Sequence, residues 1–99
     1  MLFMTIMKAK AGSTHEDQKK ILELWAKWAP PKGLELKSFY FAPDGRGFIL
    51  AEADSVEAII ESQAPWSGVL IDYDVTPVVP VDKAVELLQK GIAIREGKS

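Results

Sequence analysis

Hydrophobic residues run from Leu2 to Met7 on both phases of a two-residue alternation, and Lys8-Ala9-Lys10 follow. A strand that is apolar on both faces belongs in the middle of a sheet covered on both sides. Ala11 and Gly12 break this run, and Ser13 with Glu16 three residues later predicts a capping box. Ile21, Leu24, Trp25 and Trp28 then recur at i, i+3, i+4 and i+7, one apolar stripe of a helix that Pro30 and Pro31 terminate. A second strand is predicted over Leu34 to Phe41. Ala42-Pro43-Asp44-Gly45-Arg46 turns the chain in a short hairpin, and Gly47 to Ala53 returns as a third strand. Asp54, with Glu57 three residues on, predicts a short helix that buries Val56, Ile59 and Ile60 and ends before Pro65. From Val69 to Val79 the alternation is sharp, with Val69, Ile71, Tyr73 and Val75 on one face and Leu70, Asp72, Asp74 and Thr76 on the other. Pro77 and Pro80 mark the end of that strand or a sheet edge. A last helix, capped by Asp82 and stopped at Gly91, must lay Val81, Val85 and Leu88 on some surface.

The order β-α-β-β-α-β predicts an α+β, ferredoxin-like domain: an antiparallel sheet with two helices on one face, plus a C-terminal helix. Its 99 residues make one domain, with a core over residues 1–80, the last helix at about 82–90 and a tail over 91–99. Right-handed crossovers place both helices on the same side and the first and third strands in the centre. The expected helix-facing set is Leu2, Met4, Ile6, Ile49 and Ala51. Phe3, Thr5, Met7, Phe48 and Leu50 are left on the open face, an apolar patch that calls for a cover.

Two covers fit the pattern. An RNA recognition motif shares this element order, and Arg46-Gly47-Phe48 and Leu2-Phe3-Met4 are similar to the starts of its two signatures. Leu50 and Ala53, however, stand where base-stacking rings belong, each worth about 1–3 kcal/mol. The chain also carries 12 basic against 14 acidic residues, a net charge of −2 with no attraction for a polyanion. Nucleic acid is therefore not an expected partner. A second copy needs only one self-complementary patch, which predicts a homodimer through Phe3, Thr5, Met7, Phe48 and Leu50.

With 47% apolar and 26% charged residues and no cysteine, the composition is that of a globular domain without disulfides or a thiolate metal site. The apolar run at Met1–Met7 is too short to span a bilayer and lacks a basic leader, so the expectation is a cytoplasmic protein with no membrane partner. No motif for a cofactor or metal is present. His15, the single histidine, reads either as a base at a pocket mouth or as an exposed helix-start residue. Asp72 and Asp74, with Glu52 on the same face, could share a hard cation, or pair across the ladder with Lys8 or Lys10. Arg46 reads as a hairpin residue bonding Asp44 or a partner chain. Trp25 and Trp28 lie on the core stripe, whereas Trp66 sits in the Ala64-Pro65-Trp66-Ser67-Gly68 loop above Tyr73. A pocket between helices and sheet, with His15, Trp25, Trp66 and Tyr73 as ligand-binding residues, suits a small planar apolar molecule; the same residues could also form a filled core.

Met1-Leu2-Phe3-Met4, Pro30-Pro31 with Gly33, Gly45-Arg46-Gly47-Phe48, Ala51-Glu52-Ala53-Asp54, Trp66 and Thr76-Pro77-Val78 together resemble an uncharacterised prokaryotic domain family. That family is similar to the dimeric α/β-barrel superfamily. The resemblance covers roughly residues 1–80 and implies a ferredoxin-like fold and dimerisation, with no catalytic residues to carry over. The resemblance carries no function, and three readings stay open: a dimer that binds a small hydrophobic or aromatic molecule between helices and sheet, a cofactor-free isomerase or monooxygenase-like enzyme of the kind the superfamily suggests, using Tyr73 and His15, and an interaction dimer without ligand.

Overall fold

A computed structural model describes residues 1–97. Strand β1 (Leu2–Ala9) leads to helix α1 (His15–Lys27), the hairpin β2 (Leu34–Phe41) and β3 (Gly47–Ala53), helix α2 (Val56–Gln63), strand β4 (Ile71–Val78) and helix α3 (Val81–Arg95). The four strands form one antiparallel sheet in the order β2-β3-β1-β4. This is the ferredoxin-like arrangement that the hydrophobic pattern predicts, with the doubly apolar β1 inside the sheet.

Pairing fixes which face each side chain takes. Phe3 lies opposite Ala51 and Pro77, Thr5 opposite Ile49 and Val75, and Met7 opposite Gly47 and Tyr73. Phe3, with Ala53, forms a buried cluster with Ala58 and Ile59 of α2, so these positions face the helices. The expected phase of β1 is therefore reversed: Phe3, Thr5 and Met7 lie on the helix side, and Leu2, Met4 and Ile6 lie on the open face with Phe48 and Leu50. Phe3 and Thr5 are each only 3% exposed, which removes them from any surface contact. Nothing in a run apolar on both phases selects one phase; Ala51 and Ala53 select it, since these small residues let α2 approach and Phe3 must pair beside them.

Local chemistry sets the element ends. Thr14, one residue later than expected, caps α1: its Oγ1 accepts from the Asp17 N–H at 3.1 Å, and Asp17 Oδ2 accepts from the Thr14 N–H at 2.9 Å. Ser13 instead donates its hydroxyl to the Lys10 carbonyl. Ser55, not Asp54, caps α2 by accepting from the Ala58 N–H. On α2 the buried pair is Ala58 and Ile59, while Val56 and Ile60 point outward. In the hairpin the Arg46 N–H and guanidinium both donate to Asp44, at 3.1 and 2.6 Å, and hold its carboxyl below the usual carboxylate range. The same guanidinium lies 5.1 Å above the Phe48 ring.

Helix α3 departs most from expectation. It is preceded by Pro80 rather than capped by Asp82, runs through Gly91 to Arg95, and is followed by Glu96 and by Gly97, whose φ of +75° closes the last turn. None of its residues is buried. The molecule consequently measures 60 × 29 × 20 Å with a radius of gyration of 17.5 Å, against about 13 Å for a compact chain of this length.

Candidate functional site

Between α1 and the sheet lies a cavity of about 410 Å³. Its floor has two small positions, Thr5 from β1 and Ala51 from β3, beside Met7 and Ile49, and its walls are large, Trp25, Trp28, Phe39, Phe41, Trp66 and Tyr73. Small residues beneath bulky ones leave a void, because the rings hold α1 off the sheet. Helix α1 buries no residue completely, and Trp25 is 44% exposed at the mouth.

The rings are fixed by one another and by backbone acceptors. Trp25 and Trp28 stack with centroids 5.3 Å apart, Trp25 meets Phe39 edge-on at 5.4 Å, and Trp28 tilts against Trp66 at 6.4 Å. The indole N–H of Trp28 donates to the Ser62 carbonyl of α2 at 3.0 Å, and that of Trp66 donates to the Ile21 carbonyl of α1 at 3.2 Å. These two bonds tie α1 to α2 and to the loop before β4. Trp66 is only 5% exposed and packs on Leu70 and Ile71, so it is an anchored wall rather than a mobile lid.

A β-bulge supplies the wall on the β2 side. Leu36 pairs with Ala51, but Ser38 pairs with Leu50, so Lys37 is the extra residue. Before the bulge Leu34 and Leu36 face inward, and after it Phe39 and Phe41 do. Without that residue the two phenyl rings would lie on the open face. They stack at 5.6 Å and complete the aromatic lining.

Among the described residues, the only polar side chains lining the cavity are those of Thr5, Ser62, Gln63 and Tyr73, and none is charged. Burial raises the Tyr73 phenol from 10.0 to about 12, because the phenolate is poorly solvated there. At neutral pH Tyr73 is a hydrogen-bond donor and not a base.

Of the residues expected at a pocket, Trp25, Trp66 and Tyr73 are brought together, and Trp28 joins them. His15 does not belong to this group. It is the exposed first residue of α1, and the lining begins at Ile21, about 9 Å further along the helix axis. The sequence reading missed Phe39, Phe41 and Leu36; the bulge at Lys37 that turns the two rings inward has no local signal in the sequence. The acidic residues behave structurally: Lys10 Nζ meets Asp72 Oδ1 at 2.6 Å across the ladder, and among the described residues no group of three or more His, Asp or Glu could hold a metal ion. Among those residues, too, no helix is long and apolar enough to cross a membrane.

Against known families, the profile of DUF3303, a domain of unknown function, matches residues 1–92. The chain belongs to the DUF3303 family. An uncharacterised domain family is what the opening motifs resemble, and the match runs past the sheet to include most of α3 in the DUF3303 domain. No curated protein and no solved structure matches the chain.

Proposed function

We propose that this domain binds a small, neutral, planar aromatic molecule in the cavity between α1 and the sheet. The observation that carries the reading is the cavity itself, about 410 Å³ lined by aromatic rings with no charged side chain among the described lining. That volume falls in the range of about 300–1,000 Å³ typical of ligand pockets. An anion would lose its hydration there without gaining a partner. Tyr73 adds one selective element, a neutral phenol whose proton suits a carbonyl or ether oxygen. Such a donor favours binding over proton abstraction, and His15 stands outside the cavity, so the isomerase or oxygenase reading lacks its pair of groups. The setting in the reading is cytoplasmic, in keeping with the composition.

A matched pair of ligands tests this. 2-Acetonaphthone and 2-naphthoate share a ring system and differ in charge. At about 0.5 kcal/mol per heavy atom, the neutral ketone is expected to bind with Kd of about 10–100 μM, and at 100 Kd it stabilises the fold by about 2.7 kcal/mol. The carboxylate is expected to leave the melting temperature unchanged. Equal effects from both, or none from either, would remove the proposal.

A further inference from the structure

We infer that α3 is an exchanged arm: it docks across the open sheet face of a second copy of this chain, which returns its own α3 in the same way. The inference is independent of the ligand reading and starts from two unpartnered apolar surfaces on one chain. The first is α3, where Val81, Ala84, Val85, Leu88 and Ile92 form one side; Val81 is 78% and Leu88 66% exposed. The second is the open face, where Leu2, Met4, Ile6, Phe48 and Leu50 form a continuous block across β1 and β3. A shallow, mainly apolar recess, lined by Leu2, Val78, Val79 and Pro80 together with Glu52, lies between this block and the root of α3.

The connection between them selects a second copy over the chain's own sheet. Only Val79 and Pro80 separate β4 from α3, and Pro80 holds φ −55° and ψ 146°. The residue before a proline is held extended as well, and α3 leaves the sheet without turning back onto it, none of its residues being buried. Short, stiff hinges of this kind favour exchange between copies. The arm is part of the family domain, since the match reaches residue 92. Area points the same way: about 80 Å² for each of the five apolar side chains on that side of α3 gives about 400 Å² per arm. Two reciprocal arms and the faces they cover then bury about 1,600 Å², within the roughly 1,200–2,000 Å² of a stable interface. Charge suits the contact as well: the open face carries Asp72 and Asp74 on β4, and the docking side of α3 ends in Arg95.

The described chain has no cysteine, so single cysteines can report the geometry in the full-length protein. Leu88→Cys and Met4→Cys chains are mixed in equal amounts and oxidised, and the disulfide products are separated by intact mass. The mixed Leu88→Cys/Met4→Cys dimer is expected to predominate. Predominance of the Met4→Cys homodimer would show sheet packed on sheet and overturn the exchange. Closure of an internal disulfide in the double variant would show α3 folding back and would also overturn it. Light scattering supplies a second readout. The wild type is expected at twice 10.9 kDa, and Leu88→Glu, which replaces a side chain that is not buried in its own chain, at one copy with unchanged sheet circular dichroism. A monomeric wild type or a dimeric Leu88→Glu variant contradicts the inference.

Discussion

Replacing Ala51 with leucine asks directly whether the space above the sheet is empty. Ala51 is 3% exposed, lies on β3 and forms part of the cavity floor. Leucine adds three carbon groups, worth at most about 2.4 kcal/mol at roughly 0.8 kcal/mol each if fully buried. The mouth of the cavity is wet, so the expected gain is about 1 kcal/mol. In a filled interior the same change would cost about 1–3 kcal/mol through overpacking. Ala53 provides the control, since it sits two residues on, on the same strand and face, but is 1% exposed inside the cluster of Phe3, Ala58 and Ile59 and does not line the cavity. Any general preference of a strand for leucine over alanine acts on both positions. Urea unfolding with an unchanged slope reads the difference. Ala51→Leu is expected to raise the midpoint and Ala53→Leu to lower it. Two losses of similar size would mean that there is no void and hence no ligand site.

Other substitutions test the supports of the site. A Cβ on Gly47 would meet Met7 Cγ at 2.7 Å and Phe39 Cε1 at 3.3 Å, so Gly47→Ala is expected to cost about 1–3 kcal/mol in chemical denaturation, and a neutral result would show that Met7 yields freely. Thr14→Ala removes one half of the α1 capping box and should cost about 1 kcal/mol, read from the thermal midpoint. Because burial raises Tyr73 from 10.0 to about 12, the unfolded chain loses this proton first on alkalinisation. Stability from this residue is fully present below pH 10 and is lost between pH 10 and 12. The loss is about 1–2 kcal/mol once the partial exposure of the ring is discounted. The alkaline drop should shrink in Tyr73→Phe, and an identical drop in that variant would assign it elsewhere. The same variant should weaken a ketone ligand about tenfold and leave a hydrocarbon of equal size unaffected.

The element order was legible because alternation and helical spacing are local signals, and β2, the hairpin and the faces of β4 from Ile71 onward follow from them; Val69 and Leu70, expected to begin that strand, fall in the turn before it, where Val69 is exposed and Leu70 is buried. The phase of β1 was not legible. Leu2 to Met7 is apolar on both phases, and only its pairing with Ala51 and Ala53 decides which side chains face the helices. The caps were ambiguous for a similar reason: Ser13 with Glu16 and Thr14 with Asp17 both satisfy the box spacing, and geometry chooses the second. Trp25, Trp66 and Tyr73 could be assigned to one pocket because stripe and loop positions converge above the sheet. Phe39 and Phe41 could not, since a single bulged residue, Lys37, turns them inward, and alternation counted from Leu34 puts them outside. Gly91 reads as a helix stop in isolation, but α3 passes it and continues to Arg95, with the closing glycine at Gly97.

A crystal structure of the protein soaked with 2-acetonaphthone tests the central claim most directly. The account predicts planar density between α1 and the floor of Thr5 and Ala51, edged by Trp25, Trp28 and Phe39, with the ketone oxygen accepting from the Tyr73 hydroxyl. An interior closed by the indoles packing onto Ala51, with the ketone absent or bound only on the outer surface, would contradict it.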